Sequence, residues 1–306
     1  MYLDHFTLRE LPFSITPDTS FFFNNSSHQQ AMNVLLIALR SGEGFIKITG
    51  EVGTGKTLLC RRMLNILADD EQFISAYIPN PYLTPAALYM ALAEELGIDC
   101  PRNLGQSRVL KLISQKLIEI AAANKQAVLL IDEAQAMPEQ SLEALRLLTN
   151  LETEKNKLLQ IVLFGQPELD NILNKSSVRQ LRQRIIFSYH LTPMDKEGVC
   201  AYLTHRLLVA GYGGSHLFDN RVMEMLYKAS RGIPRLVNIL AHKSLMVAYG
   251  QGAKEISAPH MRAAINDTED AFYGTNKRLR WLLAGLATVT VSLTCIGLYR
   301  YLGIQL

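Results

Sequence analysis

Residues 45–69 read FIKITGEVGTGKTLLCRRMLNILAD: a short apolar run, a glycine-rich loop and an amphipathic segment in direct succession. FIKIT (45–49) predicts a buried strand. Residues 57–69 predict a helix with Leu59, Met63, Ile66 and Leu67 in register. Between them, GEVGTGKT fits the phosphate-loop spacing GxxxxGK[ST], in the strand–loop–helix context its chemistry needs. Gly50, Glu51, Val52, Gly53, Thr54, Gly55, Lys56 and Thr57 are therefore the candidate cradle. Glycines let backbone N–H groups approach a phosphate, and a helix N-terminus adds partial positive charge. Lys56 is expected to reach the β- and γ-phosphates of ATP, and the Thr57 hydroxyl to ligate Mg²⁺.

Working outward, further short strands are predicted at FISAYI (73–78), AVLLI (127–131), LQIVLFG (159–165) and IIFSYHL (185–191). Helices are expected at about 27–41, 85–96, 107–123, 141–152 and 177–184. Continuous apolar runs without alternation suit parallel strands buried on both faces. The alternation predicts an α/β fold, a three-layer core with a parallel sheet over 27–192. The pattern then turns purely helical (195–210, 219–230, 234–249, 258–266), which predicts a small all-α lid over 193–266. Residues 1–26, rich in Phe and turn formers, read as an extended arm packed on a domain. Met223, Met225 and Met246 read as core, and His28 as a packing or surface residue.

Six further residues carry candidate chemistry. Asp132 and Glu133 follow the apolar strand AVLLI, so both carboxylates emerge at the edge where phosphates would lie. Asp132 is expected to hold Mg²⁺ and Glu133 to orient the attacking water. Gln166 follows LQIVLFG and reaches the γ-phosphate or the water if that strand lies between the other two. Arg182 and Arg184 end a helix before the last strand. Arg235 follows Pro234, which suits a first helical position, so it can face the nucleotide from the lid.

The 306 residues carry 31 Lys+Arg against 28 Asp+Glu, a net charge of +3 that leaves no strong electrostatic footprint for nucleic acid. With 48% hydrophobic and 19% charged residues, the chain is not a disordered one. Its four cysteines form no CxxC pair, and the histidines show no metal spacing. After a polar, then basic, linker at 267–280, residues 281–299 run without a charge. As a helix that run is about 28 Å long, enough for a single transmembrane span. Lys277, Arg278 and Arg280 precede it and only Arg300 follows, so the large N-terminal part is expected in the cytoplasm and 300–306 as a short periplasmic tail.

FTLRELPFSITPDTSFFF (6–23), HQQAM (28–32), GEVGTGKT, LLIDEAQ (129–135), LFGQPEL (163–169), LRQRI (181–185) and RGIPRLVN (231–238) occur in this order. Together they resemble the ExeA/GspA family of bacterial secretion and pilus ATPases, a branch of the AAA+ ATPases. The resemblance implies a Mg²⁺-dependent ATPase at the bacterial inner membrane. It implies Lys56 and Thr57 as the phosphate-loop pair, Asp132 and Glu133 as the hydrolysis box, Gln166 as sensor 1 and Arg235 as sensor 2. Arg184, with Arg182 as second choice, matches an arginine finger acting in trans, which makes a homo-oligomer part of the mechanism. The implied partners are the membrane and an inner-membrane pilus or secretion assembly protein. Family members typically carry a large peptidoglycan-binding region after the span, where this sequence has 300–306, so the envelope is expected to be reached through that membrane partner. The alternative is a DNA-handling AAA+ ATPase such as a transposition helper. Basic and acidic residues nearly balance over 191–270, so no nucleic acid partner is expected.

Overall fold

The computed structural model describes residues 2–16, 18–101, 104–152, 157–214 and 217–271. The expected span at 281–299, its basic flank and the tail lie outside the described residues. Among the described residues no helix is long and apolar enough to cross a membrane.

The chain enters through α1 (Ser26–Arg40), β1 (Phe45–Gly50), α2 (Lys56–Asp69), β2 (Phe73–Ile78), α3 (Pro85–Glu95), α4 (Gln106–Ala122) and β3 (Gln126–Ile131). It continues through α5 (Glu139–Leu148), β4 (Leu159–Gly165), α6 (Glu168–Leu173), α7 (Arg179–Arg182) and β5 (Phe187–Leu191). The five strands form one parallel sheet in the order β2-β3-β4-β1-β5. The near-continuous apolar strands follow from burial on both faces. Ala127, Leu129 and Ile131 point into one core with α3, α4 and α5, while Val128 and Leu130 point into the other with α1 and α2. On β4, Ile161 and Leu163 split from Val162 and Phe164 in the same way. The polar exception, Gln160, is fully buried, and its amide donates to the carbonyls of Leu39 and Glu43 at 3.0 Å each.

Four helices then form the lid: α8 (Lys196–Val209), α9 (Asn220–Ser230), α10 (Pro234–Gly250) and α11 (Ala258–Asn266). Asp195 and Asp219 cap the first two, accepting from the backbone N–H of Gly198 and Val222. The arm belongs to the lid's own core. Tyr2, Phe6, Leu8, Phe13 and Phe21 are buried with Val199, Leu203, Val222, Leu226 and Leu240. Burying side chains of this size stabilises by about 1.5–3 kcal/mol each, enough to order a segment with little secondary structure of its own. The Arg9 N–H also donates to the Ala210 carbonyl at 2.8 Å.

Several expected elements differ. The helix expected at 141–152 ends at Leu148, where the Thr149 hydroxyl turns back to the Arg146 carbonyl. The helix expected at 177–184 is a 3-10 turn at Ser176–Val178 followed by the four residues of α7. The strand expected at 185–191 begins only at Phe187, and Ile186 before it is 64% exposed. The short α6 was not anticipated; Leu169 and Leu173 seat it. Met223 is buried and Met225 packs on the lid core, but Met246 lies on the outer face of α10 and is 50% exposed.

Candidate active site

Because the strands are parallel, the C-terminal ends of β1, β3 and β4 open onto the same edge, and β4 lies between the other two. The loop after β1 wraps toward the N-terminus of α2, whose first residue is Lys56. Gly53 has φ +82°, and a Cβ on it would lie 2.5 Å from the Cβ of Arg235. Only glycine accepts both the backbone angle and the approach of the lid. The Arg235 N–H donates to the Gly53 carbonyl at 3.2 Å, so the first turn of α10 rests on the phosphate loop. Gly232 delivers that turn. It has φ +74°, and a Cβ there would run into the Met194 carbonyl oxygen.

Lys56 is buried, and its ammonium donates to the carbonyls of Gly50 (2.8 Å) and Glu51 (3.0 Å). Burial pushes its pKa down, while Glu133 and Asp132 pull it back up. Thr54 is buried and its hydroxyl donates to the Glu51 carbonyl at 2.8 Å, closing the loop on itself. Asp132 is 2% exposed and accepts from the Thr57 hydroxyl and from the Glu133 N–H at 2.9 Å. Burial raises its pKa against both hydrogen bonds. Thr57 and Asp132 thus bring hard oxygen donors to one point beside the loop. A buried carboxylate with raised pKa gains from a nearby cation, so the pair fits Mg²⁺.

Glu133 adopts a left-handed backbone (φ 51°), a cost on the order of 1 kcal/mol for a non-glycine residue. Its carboxylate accepts from the Gln135 amide (2.5 Å) and the Gln166 amide (3.2 Å). Gln135 in turn accepts from the Gln166 N–H at 2.9 Å, tying the ends of β3 and β4 together. Gln135 went unnoticed in the sequence because a glutamine two residues past an acidic pair has no spacing signature. His28 packs beneath the loop, where a Cβ on Gly55 would lie 2.7 Å from its Nε2. Burial pushes its pKa down to about 4, with part of the fall offset by the backbone of Thr54 and Gly55.

A cleft of about 350 Å³ runs from the phosphate loop to the lid. Gly53, Gly55, Lys56, Thr57, Glu133 and Gln166 line its core-side half, which the exposed Arg235 meets from the lid. Ser14, Ile15, Thr16 and Asp18 of the arm, with Tyr202, Arg206 and Asn238 of the lid, line the other. None of these residues carries a role at the site in the sequence alone: those of the arm and Asn238 fall inside the motif segments 6–23 and 231–238, and Tyr202 and Arg206 fall in none. Arg182 and Arg184 do not line this cleft. Arg182 donates to Asn174 (2.6 Å), and Arg184 to Thr149 (2.8 Å) and Asn150 (2.5 Å), on the α5–α7 side of the domain.

Residues 39–173 match the family model described as AAA domain. General secretion pathway protein A of Aeromonas hydrophila is 41% identical over 256 residues, covering 84% of this chain and 46% of the relative. The chain therefore spans about half the length of the curated relative it matches. That likeness supports the ExeA-type kinship implied by the motifs. Among solved structures, Cdc6p of Pyrobaculum aerophilum is similar with a TM-score of 0.62 at 21% identity, over 81% of this chain and 70% of that one. The ORC2 protein of Aeropyrum pernix gives 0.60 at 17% identity, over 86% and 74%. The RuvB motor of Thermotoga maritima gives 0.51 at 17%, over 83% and 73%. At these identities the likeness is one of fold: an α/β core followed by a helical lid.

Proposed function

We propose that this chain is an ATPase anchored in the bacterial inner membrane that binds and hydrolyses Mg-ATP to assist assembly of a type IV pilus or secretion apparatus. The observation that carries the ATPase reading is the convergence of Lys56, Thr57, Glu133 and Gln166 on one cleft, with Asp132 bonded to Thr57 behind it and Arg235 lining it from the lid. In this reading the loop amides and Lys56 bind the β- and γ-phosphates. Thr57 and Asp132 would hold Mg²⁺, which neutralises charge developing on the phosphoryl oxygens. Glu133 orients the attacking water and takes its proton onto the carboxylate. Gln166 donates toward the γ-phosphate, and Arg235 offsets charge from the lid side. Arg184, or Arg182 in second place, completes a neighbouring subunit's site.

The cellular role rests on the likeness to a general secretion pathway protein and on the motif resemblance. The finer kinship we infer is with the ATPase of mannose-sensitive haemagglutinin pilus biogenesis, MshM. The anchor rests on the charge-free run 281–299 and its basic flank. Deleting the gene should strip surface pili or block secretion, and wild-type protein should restore them while Lys56→Ala protein at equal abundance should not. Normal pili and secretion in the deletion strain would remove the assembly reading.

A further inference from the structure

Arg206 lies on α8 of the lid, far in sequence from every motif of the site, yet it is only 4% exposed and lines the cleft. Its Nε donates to the Pro12 carbonyl at 2.5 Å and one terminal nitrogen to the Ser14 carbonyl at 3.4 Å. Its guanidinium lies 4.4 Å from the Phe21 ring centroid and 5.8 Å from that of Tyr202. Asn238 reinforces the same point, donating to the Ser14 carbonyl at 3.3 Å and accepting from the Tyr202 hydroxyl at 3.0 Å. The arm between these anchors has no ladder hydrogen bonds to hold its shape. Its backbone is fixed by lid side chains, and Ser14, Ile15 and Thr16 then form one wall of the cleft.

A buried guanidinium satisfied by carbonyls and rings is a costly way to fill space, since an apolar side chain packs without desolvating a charge. What the charge adds is direction: a rigid planar donor fork that holds two specific carbonyls. The wall lines the same cleft as Lys56 and Thr57 but comes from a different segment, which leaves it for the part of a nucleotide beyond its phosphates.

We propose that Arg206 is a positioning residue for recognition of the nucleoside: it locks the arm backbone at Pro12 and Ser14 into the shape that reads the base, without itself contributing to phosphate binding. This rests on the nucleotide-binding reading above, and the two separate in one experiment. Full-length protein in detergent is titrated with Mg-ATP, Mg-GTP and Mg-tripolyphosphate. Wild type should bind all three and prefer ATP. Arg206→Met keeps a long apolar stem and loses every donor. It should bind tripolyphosphate as wild type does, bind ATP at least about tenfold more weakly, and lose most of the ATP-over-GTP preference. Arg206→Lys, which keeps the charge but not the fork, should fall between the two and carries the test if Arg206→Met does not fold. Equal loss of tripolyphosphate and ATP would make Arg206 a structural staple of the whole cleft and overturn the proposal. Unchanged ATP affinity and selectivity would overturn it as well. Failure of wild type to bind any of the three would instead remove the nucleotide-binding reading, and the proposal with it.

Discussion

The Gln166 amide donates to the Glu133 carboxylate across 3.2 Å, linking the residue after β4 to the second residue after β3 at the edge that also carries the phosphate loop. The contact gives Gln166 two tasks, holding the carboxylate and facing the cleft, and neither involves the glycine loop 50–57. Gln166→Ala should therefore leave Mg-ATP affinity within about threefold of wild type and slow steady-state hydrolysis by at least about tenfold. Titration calorimetry beside phosphate-release kinetics separates the two. Equal loss in affinity and rate would make Gln166 a binding residue only.

Arg184 lies away from its own chain's cleft, held by Thr149 and Asn150. If it serves a neighbour, Arg184→Ala protein should bind ATP and hydrolyse it poorly. Mixed with Lys56→Ala protein it should recover activity, because the mixed interface pairs an intact loop with an intact arginine. The rate is read against mixing ratio. No recovery at any ratio, with both proteins folded and associating, would place the arginine's action in cis or remove it.

His28 gives a pH signature. Its folded-state pKa of about 4 lies below the ordinary 6.5, so between those values the unfolded chain binds a proton that the folded chain does not. Its contribution to stability is complete above pH 6.5 and is lost as pH falls toward 4. That loss amounts to about 2 kcal/mol by pH 5. His28→Gln should show a smaller drop in unfolding free energy between pH 7 and pH 5 than wild type, by about that amount. Equal drops in urea titrations would mean that the ring titrates freely in the folded protein.

The core was legible because its constraints are local. Phosphate binding confines glycines, Lys56 and Thr57 to eight consecutive positions, and double-sided burial writes itself as the runs AVLLI and LQIVLFG. The conditional placement of Gln166 needed only the position of β4 between β3 and β1. The arm–lid wall was not legible, because Ser14, Arg206 and Asn238 meet only through packing between segments nearly two hundred residues or more apart. An arginine on an amphipathic helix reads as solvent-facing until the carbonyls that bury it are seen. The stretch around the end of α5 and from α6 to the start of β5 was misjudged for a related reason. Its helix ends are set by side-chain contacts such as Thr149 to Arg146 and Arg184 to Asn150, which leave no periodicity.

The basic flank at 277–280 and the single Arg300 make an orientation prediction. In intact cells a periplasmic reporter fused after Leu306 should be active, and one fused after Thr275 inactive. The reverse pattern, or full-length protein in the soluble fraction, would contradict a span at 281–299.

In the proposed reaction this cleft hydrolyses ATP, and Glu133 is the group that takes the water's proton. Glu133→Gln changes one oxygen to an amide and leaves Lys56, Thr57 and Asp132 in place. Measured on the same preparation, Mg-ATP binding should stay near wild type while single-turnover hydrolysis falls at least about a hundredfold. Hydrolysis at the wild-type rate in Glu133→Gln, with ATP bound, would contradict the account.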